Sequence, residues 1–107
     1  MAQQIAAAAG RYIVSIEYKD SRFRGDNHTF YGSASCADAP PFWVSSMPSG
    51  YNNSIGSSEA YSSCGARHYD AGGATGTNIP AGASYVCTGD CPQLGAMNDA
   101  TSSMRWT

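Results

Sequence analysis

Apolar and polar residues alternate most regularly near the start of the chain, in the segment Arg11-Tyr12-Ile13-Val14-Ser15-Ile16-Glu17-Tyr18. Tyr12, Val14, Ile16 and Tyr18 recur at every second position, which predicts a strand that carries these four side chains on one face and Ile13 on the other. Shorter β-branched and aromatic runs predict strands at 29–31, 42–44, 66–69, 84–87 and 103–106. The segments between them are rich in Gly, Ser, Asn, Asp and Pro, as loops are. Near 92–97 one helical turn is a weaker expectation than a loop.

Many short strands separated by turn residues indicate an all-β sandwich or barrel. A length of 107 residues fits one domain. We expect residues 1–10, which are small and mostly apolar, to form a flexible arm, and residues 11–107 to form the domain. Only 13% of the residues are charged and the net charge is -2, so no basic field is present to hold nucleic acid. No apolar run is long enough to span a membrane.

The four cysteines, Cys36, Cys64, Cys87 and Cys91, favour two disulfides and therefore an oxidising, extracellular compartment. The pairing Cys36–Cys64 with Cys87–Cys91 is preferred, because the segment CTGDC can close a tight loop through Gly89. Two alternatives stay open. Cys64 and His68 could belong to a zinc site, although the spacing of the cysteines fits zinc poorly. In a reducing compartment the thiols would be free.

The chain also contains an internal repeat with a shift of 51 residues. Each copy has an aromatic residue, a glycine seven residues later, and a serine eight residues after that: Tyr18, Gly25 and Ser33, then Tyr69, Gly76 and Ser84. Cys36 falls on Cys87 in the same register. An aromatic residue followed by this glycine suits a folded β-hairpin, because glycine permits a positive φ where the chain bends. The serine can then bind backbone groups that the bend leaves unpaired.

Each copy ends in an Asx pair followed by serines, namely Asn52-Asn53-Ser54-Ile55-Gly56-Ser57 and Asn98-Asp99-Ala100-Thr101-Ser102-Ser103. The first copy is about five residues longer before its Asx pair, around Pro40–Pro41. Hard oxygen donors of this kind suit Ca²⁺, which takes six to eight oxygens and would need both loops. Asn and Asp are also common turn formers. The duplication favours the calcium interpretation.

These patterns resemble the microbial βγ-crystallins. The aromatic-x6-Gly pattern with its later serine is similar to that family's Greek key motif. The family's calcium signature, N/D-N/D-x-x-S/T-S, is matched at all four specified positions by residues 98–103. Residues 52–57 match three positions and depart at Gly56. The resemblance implies a two-sheet Greek key sandwich with a pseudo-twofold repeat, with the first motif at about 11–60 and the second at about 61–107.

The resemblance also implies two calcium sites at one end of the sandwich. One would combine the Lys19 carbonyl, the segment Asn52-Asn53-Ser54 and the Ser102 hydroxyl. The other would combine the Asp70 carbonyl, the segment Asn98-Asp99-Ala100 and position 56. Gly56 has no side-chain oxygen, so we expect that second site to be degraded, and the ammonium group of Lys19 to weaken the first.

The expected function is that of a non-enzymatic module, which binds calcium weakly and has a structural or stress-protective role. The alternative is a secreted effector, such as a protease inhibitor or an antimicrobial protein, that binds a partner through exposed loops. Phe42, Trp43 and Met47 are candidate contacts for it, although a core position is the simpler interpretation of Phe42 and Trp43. Catalysis is not expected. No sequence motif fixes a nucleophile beside His28, or beside His68 with Cys64 and Asp70 near it in the chain.

Overall fold

The computed structural model describes residues 3–4, 12–38 and 41–107. Within these described residues nine strands form two sheets: β1 (Gln3–Gln4), β2 (Tyr12–Asp20), β3 (Arg24–Gly32), β4 (Phe42–Val44), β5 (Ser57–Ala60), β6 (Gly65–Tyr69), β7 (Ser84–Thr88), β8 (Asp90–Cys91) and β9 (Ser103–Trp106). One 3₁₀ turn, Gly95–Met97, precedes β9. The all-β prediction is confirmed. Among the described residues, no helix is long and apolar enough to cross a membrane.

The order of strands shows how the two halves of the chain share the sheets. One sheet has the order β3-β2-β5-β8 and the other has β1-β4-β9-β6-β7. If β1 is left out, the two sheets have equivalent strand orders. The order β3-β2-β5-β8 of the first sheet corresponds to β7-β6-β9-β4 in the second. Apart from β1, each sheet therefore holds three strands from one half and one strand from the other, β8 or β4. This exchange is the Greek key sandwich with a pseudo-twofold repeat that the resemblance implies.

Part of the predicted N-terminal arm is described. Gln3–Gln4 pairs in parallel with β4, in register with Phe42 and Trp43. Residues 1–2 and 5–11 lie outside the described part of the chain, so the domain limits at residues 10 and 11 stay a prediction.

The core lies between the sheets and is built on fully buried Phe30, Phe42, Met104 and Trp106. The rings of Phe30 and Trp106 lie 4.8 Å apart, and the Trp106 indole nitrogen donates a hydrogen bond to Ser15 Oγ at 2.8 Å. A buried indole N–H requires such an acceptor. Because Phe42 is fully buried, it cannot be the exposed partner contact that the effector hypothesis needs.

The prediction of which side chains of β2 share one face is wrong. Strand pairing shifts between Ile13 and Ser15, so Val14 is the extra residue of a β-bulge. After the bulge Ser15 and Glu17 are fully buried, while Tyr12 at the start of the strand is exposed. The four alternating residues therefore do not share one face, because an inserted residue reverses the alternation of side chains.

The disulfides are Cys36–Cys64 and Cys87–Cys91, as preferred from the sequence, and no cysteine is free. This pairing overturns the zinc and free-thiol alternatives. The first bridge ties the loop after β3 to the turn before β6. The second closes the short turn between β7 and β8.

The repeat has a different register from the one predicted. Tyr18 pairs with Asn27 across the first hairpin and Tyr69 with Ser84 across the second, so the second connection is six residues longer. Gly82, which lies two residues before β7, therefore corresponds to Gly25. Both have positive φ, at 115° and 77°, whereas Gly76 does not share this conformation. The glycine position of the second motif belongs to Gly82, and Cys87 corresponds to Phe30 rather than to Cys36.

The hairpin serines are also not those predicted. Ser57 Oγ accepts a hydrogen bond from the Phe23 amide at 2.9 Å and donates one to the Asp20 carbonyl at 2.6 Å. In the second half, Ser103 Oγ accepts a hydrogen bond from the Ala74 amide at 3.4 Å and donates one to the Ala71 carbonyl at 2.6 Å. These two serines fill the role assigned to Ser33 and Ser84. Ser33 follows β3 at the end away from the hairpin turn, and Ser84 begins β7.

Candidate metal centre

The two Asx segments lie side by side at one end of the sandwich, immediately before β5 and β9. The Asn53 amide donates to the Thr101 carbonyl at 2.9 Å, and the Asp99 amide donates to the Ile55 carbonyl at 2.9 Å. Asn53 and Asp99 both have a left-handed backbone, with φ of 55° and 57°. Asn and Asp tolerate this conformation better than other residues with a Cβ. The fold thus brings the two loops together in a symmetric arrangement.

The first candidate site joins the two halves of the chain through a pair of oxygens. Ser102 Oγ donates a hydrogen bond to Asn53 Oδ1 at 3.1 Å. The Ser102 amide donates to the Tyr69 carbonyl at 2.8 Å, which brings Asp70, the next residue after Tyr69, beside this pair. In the same loop Ser54 Oγ donates to the Asn52 carbonyl at 3.1 Å.

The second candidate site contains Gly56, Lys19, Asn98 and Asp99. The Gly56 amide donates to the Tyr18 carbonyl at 2.8 Å, and a Cβ built on Gly56 would lie 2.8 Å from the Lys19 carbonyl oxygen. Lys19, Asn98 and Asp99 line one cleft, together with Arg24. Ala100 follows this pair, and its amide donates to the Met97 carbonyl at 3.1 Å.

This arrangement corrects the predicted grouping of carbonyls. The Lys19 carbonyl lies with Gly56 and the Asn98–Asp99 pair, and Asp70 lies with Ser102 and the Asn53 loop. The reason is strand pairing. β5 lies beside β2 and β9 lies beside β6, so position 56 adjoins Lys19 and position 102 adjoins Asp70.

The first site fits a hard cation by the chemistry of its donors. Ca²⁺–oxygen distances of 2.3–2.6 Å place neighbouring ligand oxygens about 3 Å apart, which is the separation of Ser102 Oγ and Asn53 Oδ1. Both atoms are neutral oxygens. Accordingly, no cluster of three His, Cys, Asp or Glu side chains that could hold a metal occurs in the described ranges.

The second site fits poorly. Gly56 supplies no side-chain oxygen, and a Cβ at this position would come within 2.8 Å of Lys19 O and Asp20 C. Arg24 and Lys19 line the same cleft, so its acidic residues Asp20 and Asp99 share it with two basic residues. The Lys19 ammonium itself extends over the Tyr51 ring, 4.9 Å from its centroid, beside the first Asx segment.

The histidines do not form a catalytic site with the cysteines. His68 and Glu17 are both fully buried, with Nε2 2.6 Å from Oε1, so neither is open to a substrate. Cys64, the proposed neighbour of His68, is in a disulfide. His28 packs between the rings of Phe30 and Tyr51, and burial lowers its pKa.

Some contacts of this region were missed in the sequence although a signal for them exists. The last serine of each Asx segment, Ser57 or Ser103, is the residue that binds the hairpin. It stands at the sixth position of the pattern in both copies. By contrast, no motif in the sequence indicates that Glu17 and His68 would meet in the core, although the 51-residue shift of the repeat separates them.

No protein-family profile matches the sequence, and no curated protein sequence is similar to it. Solved structures are similar in fold. The N-terminal domain of protein S has a TM-score of 0.61 at 18% identity, over 88% of this chain and 94% of that one. A βγ-crystallin domain from Clostridium beijerinckii has a TM-score of 0.62 at 18% identity, over 87% of this chain and 95% of that one.

A third similar structure is a double mutant of clostrillin in complex with nickel, with a TM-score of 0.61 at 19% identity, over 87% of this chain and 95% of that one. These likenesses cover most of the chain, and together with the exchanged strands they show that it folds as a single domain of the βγ-crystallin type.

Proposed function

We propose that the protein is a secreted, non-enzymatic βγ-crystallin-type module with a structural or stress-protective role, which binds one calcium ion at the first site. The ligands are the side chains of Asn53 and Ser102, the carbonyl of Asp70 and the backbone of the Asn52–Ser54 loop. The observation that carries the proposal is the 3.1 Å approach of Ser102 Oγ to Asn53 Oδ1. These two oxygens come from opposite halves of the chain.

The ion would supply a crosslink between the halves. Asn53 precedes β5 in one sheet and Ser102 precedes β9 in the other, so one ion held by both would connect the two sheets. The donors are mostly neutral, and extracellular sites of low charge bind calcium with Kd of about 10⁻⁴–10⁻³ M. Calcium at 100 times Kd would stabilise the fold by about 2.7 kcal/mol.

Two further observations support the proposal. A clostrillin double mutant, in which two serines are replaced by histidine, forms a complex with nickel, so a domain of this fold can hold a metal ion when suitable ligands are present. The two disulfides support an oxidising compartment outside the cytosol, where calcium is abundant. The effector alternative receives less support, because two of its three candidate contacts, Phe42 and Met47, are buried and Trp43 is only partly exposed.

The test is a calcium titration of the oxidised protein by calorimetry. We expect one site per chain, and we expect Ser102→Ala to abolish measurable binding. Asp99→Asn is the matched control, because it changes the equivalent loop at the second site and retains a residue that tolerates the left-handed backbone. Absence of binding up to about 10 mM calcium, or undiminished binding by Ser102→Ala, would contradict the proposal.

A further inference from the structure

Two arginines lie next to each other on the outer face of the sheet that contains β6 and β9. Arg67 and Arg105 are direct cross-strand partners, and both point away from the core because His68 and Trp106, the residues that follow them, are buried. Like charges directly opposite each other destabilise a sheet. Their juxtaposition therefore needs a compensating group.

No carboxylate of the described residues provides this compensation. In the part of the chain that the structure describes, the one contact of 4.0 Å or less between acidic and basic groups joins Glu17 to His68. Arg67 Nη1 donates to Ser84 Oγ at 3.5 Å and Arg105 Nη2 donates to the Gly76 carbonyl at 3.1 Å, and both acceptors are neutral. Two guanidinium groups carry ten N–H donors between them, and most remain available.

Part of the longer β6–β7 connection borders this face. Residues 79–82 of the connection, together with Arg67, Tyr69 and Arg105, line a cavity of about 500 Å³. The first hairpin lacks these residues, so the cavity breaks the symmetry between the two halves. One carboxylate, that of Asp70, packs against Gly82 at the edge of the cavity and is exposed to solvent.

Two of the residues that line this cavity carry a buried donor that has no partner. Tyr69 is only 2% exposed, yet its hydroxyl makes no hydrogen bond in the described chain, and neither does the buried Nε of Arg105. A buried donor without a partner destabilises the fold. Tyr69 shares the outer face with Arg67, because the two are separated by one residue on the same strand.

We propose that this cavity binds a tetrahedral oxoanion, the phosphate or sulfate group of a small molecule. The guanidinium groups of Arg67 and Arg105 would take its oxygens by paired N–H donors, which fit this geometry, and the Tyr69 hydroxyl would donate a further hydrogen bond. A free oxoanion is much smaller than 500 Å³, and Ile79, Pro80 and Ala81 offer an apolar wall for an organic substituent. The site is separate from the calcium ligands and does not depend on them.

The experiment titrates the oxidised protein with inorganic phosphate, inorganic sulfate and phenyl phosphate at constant ionic strength, followed by calorimetry and by amide NMR shifts. We expect saturable binding, with the largest shifts in residues 79–84. Tighter binding of phenyl phosphate than of phosphate would show that the ligand is an ester, and equal binding would show that it is the free ion.

Variants separate a built site from general charge. We expect Arg67→Gln to weaken binding about tenfold, as the loss of a charge-assisted pair should, and Tyr69→Phe to weaken it about threefold or more. Arg24→Gln, which removes the same charge at the other sheet, should leave the affinity unchanged. The proposal is overturned if none of the three anions binds saturably, or if Arg24→Gln weakens binding as much as Arg67→Gln does.

Discussion

Glu17 and His68 are separated by 51 residues, the shift of the internal repeat, and they meet in the core with Oε1 2.6 Å from Nε2. They stand at equivalent positions of β2 and β6, so the pair links the two sheets where the halves of the chain face each other. Ser58 Oγ donates to the other carboxylate oxygen at 2.8 Å, and His68 Nδ1 lies 3.2 Å from the Tyr85 carbonyl. Each polar atom of the pair thus has a partner.

Removal of one member of this pair should be more damaging than removal of both. Glu17→Leu leaves His68 buried without its partner, and such a loss costs about 3–5 kcal/mol. The double variant Glu17→Leu with His68→Leu removes both polar groups and should recover most of that loss. Urea denaturation of the wild type, both single variants and the double variant measures the coupling. A double variant whose destabilisation equals the sum of the single ones would contradict this expectation.

The hairpin serines should be individually important. Ser57→Ala and Ser103→Ala each remove a buried hydroxyl that both donates to and accepts from the bent hairpin, so each should lower the free energy of unfolding by about 1–3 kcal/mol. Ser84→Ala is the control, because this exposed hydroxyl accepts one long hydrogen bond from Arg67, and the change should stay within about 0.5 kcal/mol. Equal losses for all three variants in denaturant titrations would count against the assignment.

Restoring the family pattern at position 56 should not restore a calcium site. Gly56→Ser adds the missing hydroxyl, but its Cβ would lie 2.8 Å from the Lys19 carbonyl oxygen. We expect a lower melting temperature without calcium and an unchanged stoichiometry in a calcium titration. Gly56→Ala should lower the melting temperature as much, since the clash comes from Cβ. A second calcium site in Gly56→Ser would refute the steric explanation.

The Tyr18 hydroxyl should make the protein sensitive to alkaline pH. It donates to Glu59 Oε1 at 2.6 Å, and this hydrogen bond is the main reason that its pKa is raised from 10.0 to about 12. The unfolded chain therefore loses the proton first, and stability falls as the pH rises from about 10 towards 12. Tyr18→Phe removes the group, so its stability should decline less over this range. Parallel declines of the two proteins in chemical denaturation would argue against the bond.

Much of the strand arrangement could be predicted from the sequence. The strands at Phe42–Val44 and Ser103–Trp106 have the limits predicted from the sequence, because each segment has large apolar side chains two positions apart, Phe42 and Val44 or Met104 and Trp106. The face of β2 could not be predicted, because the bulge at Val14 arises from pairing with β3 and leaves no local signal. Ser57–Ala60 was missed, since its polar residues are buried by tertiary contacts rather than by any alternation.

The structure brings some of the predicted site residues together and groups others differently from the sequence prediction. Asn53 and Ser102, which the sequence assigns to one site because the Asx and serine positions recur in both copies, lie within hydrogen-bond distance of each other. The carbonyls of Lys19 and Asp70 were interchanged, because their neighbours depend on which strands are adjacent in each sheet. The sequence prediction put the glycine of the second hairpin at Gly76 instead of Gly82. The second hairpin connection is longer than the first, and the 51-residue spacing, which holds for the strand before it, gives no sign of the extra residues.

The exchange of β4 and β8 between the sheets means that the repeat of about fifty residues is not a folding unit. A fragment that ends after β5 would lack β8, the strand that pairs with β5, and its own β4 would have no β9 to join. A fragment that begins after β5 would lack β4, which pairs with β9, and its β8 would have no β5 to join. The two halves of this chain should therefore behave as obligate complements, which gain structure only when they are mixed.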